Sequence, residues 1–135
     1  MVDDETFTKA LLEEYAASGR FGHREHLHLA WSYVRRSGLP RARAEVAAFL
    51  RHVASQHGQP DRYHETLTSF WLHATACALA RSARPDDFEA LLAEQPHLED
   101  KGLPQRHWTS GALWSDAARR DWVEPDLRPL PPLPA

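Results

Sequence analysis

The chain has 135 residues, 26% of them charged, and a formal net charge of −3, which fits a single domain and argues against a nucleic-acid-binding protein with its basic patch. No apolar run approaches the length of a membrane span, and the acidic start, MVDDETF, lacks the apolar segment of a signal peptide. Cys77 is the only cysteine, so no disulfide can form within the chain, and we expect a cytoplasmic protein.

Apolar residues recur at helical spacing along most of the chain, and no alternating strand pattern or repeat is visible. Glycine, proline and aspartate at the ends of these segments mark where helices begin and end. The widest apolar face belongs to the segment that follows Tyr63, so we expect this helix to lie at the centre of the core. The predicted helices are 3–18, 22–37, 40–57, 63–82, one that begins at Pro85 and stops before Pro96, and a short one that begins at Ser110.

The C-terminal residues 124–135 hold five of the ten prolines, so they form neither a regular helix nor a central strand. We expect them to cross the domain as an extended strap with Leu127, Leu130 and Leu133 as anchors. The predicted fold is therefore an all-α, single-domain bundle of about five main helices over residues 1–123, with a packed proline-rich tail. In an alternative interpretation, the tail docks onto a partner, because its composition is similar to that of SH3-type ligands.

Histidines cluster near the start of two predicted helices. The stretch FGHREHLHLAW places three histidines within six residues, and a helical wheel puts His23 and His26 on its apolar side and His28 on its polar side. In YHETLTSFW, His64 lies within the apolar face, whereas His73, slightly further on, points the other way. A buried imidazole without a partner costs about 1–3 kcal/mol, so the inward histidines need partners.

A metal ion is one such partner, because neutral imidazole is the commonest metal ligand and three protein ligands with an open position are typical of catalytic sites. The first hypothesis is therefore a metal-dependent enzyme that acts on a small molecule by hydrolysis or oxidation. His23, His26 and His64 would hold a divalent transition metal, namely iron, zinc or copper. The other candidate residues are Glu65 as a fourth ligand or general base, Thr68 as a second partner or substrate contact, and Tyr63, Trp71 and Trp31 as pocket walls.

Two alternatives remain open at this point. In a metal-free enzyme or binding protein, the same histidines would be acid/base or hydrogen-bonding groups in an aromatic-lined cleft. In a helical adaptor, the proline-rich tail would dock onto a partner. Separately bonded core histidines also explain the pattern, because H-x-x-H alone is a weak motif. The expected partner is a small molecule rather than a nucleic acid or a membrane, and homo-oligomerisation is left open.

Three stretches, FGHREHLHLAW, YHETLTSFW and LWSDAARRDWVEPDLRPLP, resemble a group of small bacterial proteins. The shared pattern is F-x-H-x-x-H-L, then Y-H-x-T-[LI]-T, then A-R-x-x-W-V-x-P-D-L, and the resemblance covers most of the chain. It implies no particular reaction. It singles out the three inward histidines, the tail from Ala118 onward, and two threonines, Thr66 and Thr68. The wheel places Thr66 on the outer face of its helix, which leaves that threonine unexplained.

Overall fold

The computed structural model describes Lys9, Glu13 and residues 22–133; of the helix predicted over 3–18 it describes only Lys9 and Glu13, both helical, and the rest lies outside the described residues. Within the described part, all regular structure is helical and no strand is present, which confirms the predicted all-α fold. None of these helices combines the length and hydropathy needed for a membrane span. In chain order they are α1 (His23–Ser37), α2 (Leu39–Gln56), α3 (Glu65–Arg81), α4 (Phe88–Glu94), α5 (Ser110–Leu113) and α6 (Asp116–Arg120), with short 3₁₀ turns at Pro60–Arg62, Pro96–Glu99 and Leu103–Arg106.

The helix ends follow from local capping chemistry. Gly38 ends α1 with a φ of 80°, a left-handed conformation that glycine adopts without a steric penalty. α4 begins later than predicted because the carboxylate of Asp87 caps it by accepting the backbone N–H of Ala90 at 3.0 Å. The predicted C-terminal helix is divided in two, since Ser115 starts α6 by accepting the N–H of Ala118 at 3.1 Å.

Helix α3 is the centre of the core, as the sequence predicts. Three clusters of buried apolar residues surround it, and each cluster includes one residue of this helix, namely Leu72, Ala78 or Phe70. The first cluster joins α3 to α1 and α2, the second joins it to α1 and α4, and the third joins it to the C-terminal segments. Every other main helix is therefore stabilised by apolar surface that it buries on or beside α3.

The helical wheel underestimates how much of α1 and α3 is buried. α1 also buries Leu29 and Ser32, because it packs against α2, α3 and the turn at Pro96–Glu99 at once. The ring centroids of His28 and of Phe88 on α4 lie 4.3 Å apart. His73 donates a hydrogen bond to the carbonyl of Pro131 at 2.7 Å. The assignment of these two histidines to solvent-facing sides is therefore wrong.

Thr66 is the clearest departure from the wheel. It is fully buried, with 0% of its surface exposed. Its Oγ1 donates to the carbonyl of Asp121 at 2.9 Å and accepts the N–H of Val123 at 3.3 Å. The first turn of α3 is thus joined to the segment that follows α6. At Thr66, the face of α3 that the wheel assigns to the outside therefore makes an internal contact.

The described part of the C-terminal tail, residues 124–133, runs beside the domain without regular structure. The N–H of Leu127 donates to the carbonyl of His107 at 2.9 Å, and the ring Nδ1 of His107 donates to the carbonyl of Arg128 at 2.9 Å. Of the three predicted anchors, Leu130 packs against the third cluster, whereas Leu127 is 57% and Leu133 45% exposed. Backbone hydrogen bonds therefore contribute more to these contacts than the two exposed leucines, and a strap over the whole tail stays a prediction.

Replacing Thr66 with valine should lower the free energy of unfolding by about 1–3 kcal/mol, because it removes two part-buried hydrogen bonds, each worth about 0.5–1.5 kcal/mol. Urea denaturation followed by circular dichroism measures this change. Thr75→Val is the matched control. The hydroxyl of Thr75 is buried on the same helix and has no hydrogen-bond partner among the described residues, so its removal should be neutral or stabilising. Equal losses for both variants would contradict the assigned role of Thr66.

Candidate functional site

A cavity of about 340 Å³ lies between α1, α2, α3 and the turn at Pro60–Arg62. Buried aliphatic side chains from all three helices line it, among them Leu29, Leu50, Val53 and Leu72. Polar groups reach the same space from two places, the start of α1 and the chain between α2 and α3. Its volume is at the lower end of the range for small-molecule sites, and a lining that combines apolar side chains with convergent polar groups is typical of them.

Two of the predicted site histidines, His23 and His26, lie in this lining. His23 Nε2 donates to the carbonyl of Leu98 at 2.8 Å, and its ring packs edge-on against Trp71 at 4.5 Å between centroids. His26 Nδ1 donates to the carbonyl of Gly22 at 3.1 Å. In a neutral imidazole the other nitrogen is an acceptor, so these bonds define the tautomer of each ring. Burial lowers the pKa of His26, which favours its neutral form.

The third histidine, His64, also lines the cavity but has a structural role. Its Nδ1 caps α3 by accepting the N–H of Leu67 at 3.1 Å, and its Nε2 donates to the carbonyl of Leu113 at 2.7 Å. Both ring nitrogens are therefore occupied by backbone groups that are 3 and 49 residues away in the sequence. Burial lowers the pKa of His64, in agreement with a neutral ring that donates at one nitrogen and accepts at the other.

This geometry bears directly on the predicted metal site. Among the residues that the structure describes, no three histidine, cysteine, aspartate or glutamate side chains are grouped so that they could hold one metal ion. His23 and His26 each donate one N–H to a backbone carbonyl, as metal-ligating histidines commonly do. His64 offers no such nitrogen, because coordination would require it to release one of its two backbone hydrogen bonds. The three-histidine donor set thus does not fit a metal ion in this arrangement.

Glu65, the predicted general base, lies outside the cavity lining. Its carboxylate accepts hydrogen bonds from the hydroxyl of Tyr63 at 2.6 Å, from Arg51 at 3.1 Å and from the hydroxyl of Ser69 at 3.2 Å. Burial, and then the hydrogen bond to Glu65, raise the pKa of Tyr63 well above its ordinary value. Glu65 therefore holds the turn before α3 against α2, and in this arrangement it cannot reach a ligand in the cavity.

The remaining predicted residues divide between the cavity and the core. Tyr63, Thr68 and Trp71 line the cavity as predicted, although the hydroxyl of Thr68 donates to the carbonyl of His64 at 2.9 Å. Trp31 does not: it is only 2% exposed in the second apolar cluster, and its Nε1 donates to the carbonyl of Pro85 at 3.0 Å. The prediction that Trp31 forms a pocket wall is wrong, because α4 covers that side of α1.

Sequence reasoning did not single out Arg62, which also lines the cavity. Arg62 lies in a loop that has no periodicity to indicate its direction, and its position directly before Tyr63 is the one available signal.

Comparison with protein-family models, with curated proteins and with solved structures gives no match for this chain. The function must therefore be argued from the cavity and the side chains that line it.

The neutral His64 ring should make folding sensitive to mild acid. Its pKa in the folded protein is below the ordinary value of about 6.5, so the unfolded chain binds the proton more tightly. The stability that His64 contributes is present above about pH 6.5 and is lost as the pH falls below it. Replacing it with asparagine, a strong N-cap residue that does not titrate, should reduce the fall in unfolding free energy between about pH 7 and about pH 5.

Urea denaturation at several pH values measures this dependence. His52→Asn is the control, because His52 is exposed on α2, and that variant should keep the pH dependence of the original protein. The asparagine variant should also be less stable than the original at neutral pH, by about 1–3 kcal/mol, if it leaves the Leu113 carbonyl without its donor. An unchanged pH dependence in the His64 variant would contradict the neutral-cap assignment.

Proposed function

We propose that this protein binds a small molecule in the cavity between α1, α2 and α3. The observation that carries the proposal is the cavity of about 340 Å³, in which buried aliphatic side chains share the lining with two imidazoles of defined tautomer. The apolar part of the ligand would gain about 25 cal/mol for each Å² that it removes from water. A hydroxyl or N–H group on the ligand would donate to His23.

Acid–base catalysis on the bound molecule is the second candidate function. It is supported by His23, since a ring whose tautomer is held by a backbone carbonyl is oriented to take a proton at its other nitrogen. Binding is the step that both candidates share, so it is tested first.

The burial of Cys77 and the state of its thiol are consistent with this function. Cys77 is buried on α3, and burial raises the pKa of its thiol, so the unreactive protonated form is favoured. It is the only cysteine of the chain. We therefore propose that this is a cytoplasmic protein in which Cys77 is a core residue. The chemistry of its site would depend on histidine.

Metal analysis separates this proposal from the metal-dependent enzyme predicted from the sequence. Protein purified without a histidine tag should contain substoichiometric iron, zinc and copper by plasma mass spectrometry, and dialysis against each ion should not raise the content to one per chain. His64 would have to lose a buried backbone hydrogen bond to bind metal, which costs about 1–3 kcal/mol. One tightly held ion per chain that is lost on His23→Ala would instead establish the metal centre.

Filling the cavity should abolish ligand binding without unfolding the protein. Ala54 is a buried residue of α2 in the cavity lining, so Ala54→Leu places added carbon atoms in the space that a ligand would occupy. Ala48→Leu is the matched control, because Ala48 is exposed on the same helix. Ligands from a fragment library of small phenols and alcohols, detected by saturation-transfer NMR, should bind the original protein and the control but not the filled variant.

For fragments that carry a donor group, His23→Leu should weaken binding about fivefold to tenfold, the value of one hydrogen bond. Fragments without a donor should bind this variant as well as they bind the original protein. Fragment signals that persist unchanged in Ala54→Leu would place the binding elsewhere and end the proposal.

A further inference from the structure

The cavity has a charged neighbour. A second, more open cleft lies on the other side of the turn at Pro60–Arg62, and both spaces share Gln59, Arg62 and Tyr63 in their linings. The cleft is bounded by the C-terminal half of α2, this turn and α6. The charged side chains that line it are Arg51, Arg62, Arg119, Arg120, Asp61 and Asp116.

Apart from Arg51, which pairs with Glu65, three arginines and two aspartates line the cleft, an excess of one positive charge, although the whole chain carries a net charge of −3. Concentrating positive charge at one place on an acidic protein creates a local field that attracts anions. The cleft is therefore a place where an anionic group would be stabilised, and the apolar cavity begins directly beside it.

Most of the arginines in the cleft are not neutralised by a carboxylate. Arg62 is exposed and donates to the neutral side-chain oxygen of Gln59 at 3.0 Å. Arg119 and Arg120 donate to backbone carbonyls at 3.3 and 3.4 Å. In the described part of the chain, Arg51 alone among the four forms an ion pair, with Glu65 at 3.1 Å. Three guanidinium groups thus retain their charge for a ligand.

We propose that the ligand is an amphipathic anion, with its apolar body in the cavity and its anionic end at Arg62. This inference rests on the proposed binding function and adds the class of ligand. Arg62 is the position for the head group because, among the residues that the structure describes, it is the one arginine or lysine that lines both spaces. A guanidinium presents paired donors that match a carboxylate or a phosphate. Arg119 and Arg120 add to the field without needing direct contact.

Three probes with the same eight-carbon body test this inference, namely octanoate, octan-1-ol and octylamine. Isothermal titration calorimetry on the full chain at low salt should give the tightest binding for octanoate and the weakest for octylamine. Arg62→Gln keeps the hydrogen bond to Gln59 within reach but removes the charge, and it should weaken octanoate binding roughly fivefold, as for an exposed ion pair. Octanol binding should not change, and added salt should remove much of the preference for octanoate.

Arg43→Gln is the matched control, because Arg43 is exposed on α2 and lines neither space. It should bind all three probes as the original protein does. Ala54→Leu should abolish octanoate binding, since the body of the probe needs the cavity. Octanoate that still binds Ala54→Leu would show a surface anion site only, which overturns the inference.

Equal affinity for octanoate and octanol, unchanged by Arg62→Gln, would also overturn the amphipathic anion while leaving the small-molecule function in place. Failure of all three probes, together with failure of the fragment library, would overturn both proposals. Binding of octanoate with the expected loss in Arg62→Gln supports both.

Discussion

The hydrogen bonds at the N-terminus of α3 hold together parts of the chain that are distant in sequence. The first N–H groups of a helix have no partner within the helix, and a buried helix end must find partners elsewhere. Here His64 caps the first turn and bonds to Leu113, and Thr66 bonds to Asp121 and Val123. The C-terminal third of the chain is therefore attached to the central helix through polar contacts of its N-cap and first turn.

The residues on either side extend this arrangement toward α2. Glu65 lies between His64 and Thr66, and its carboxylate is bound by Tyr63 and Arg51. Successive residues at the helix start thus serve different neighbours, which explains why a short polar stretch can include a histidine, a glutamate and a threonine within a buried region. A cluster of residue types typical of active sites is here used to join elements, and each member is satisfied by a specific partner.

The polar groups that could act on a ligand lie at the start of α1 and at the turn that holds Arg62. His23 uses one nitrogen for a backbone carbonyl, so its tautomer is defined and its second nitrogen would accept from a ligand in the cavity. A few oriented polar groups in such a space provide specificity, while the aliphatic lining provides most of the affinity. The arginines beside Arg62 place positive charge at the exposed side of the site, where hydration limits the cost of leaving it unpaired.

The sequence by itself determined the helical class, the central position of α3 and most helix ends. Hydrophobic periodicity and local capping residues such as Gly38 act over a few neighbouring residues, so they can be read without the fold. It also identified His23 and His26 as inward residues, and both line the cavity.

Only the tertiary structure decided that Thr66 is buried, that His64 has no free nitrogen and that Trp31 is in the core. The wheel assumes one buried face for each helix, whereas α1 and α3 pack on several sides, and the partners of His64 and Thr66 lie 49 and 55 residues away. Contacts over such separations depend on how the chain returns to the central helix, which no local pattern specifies.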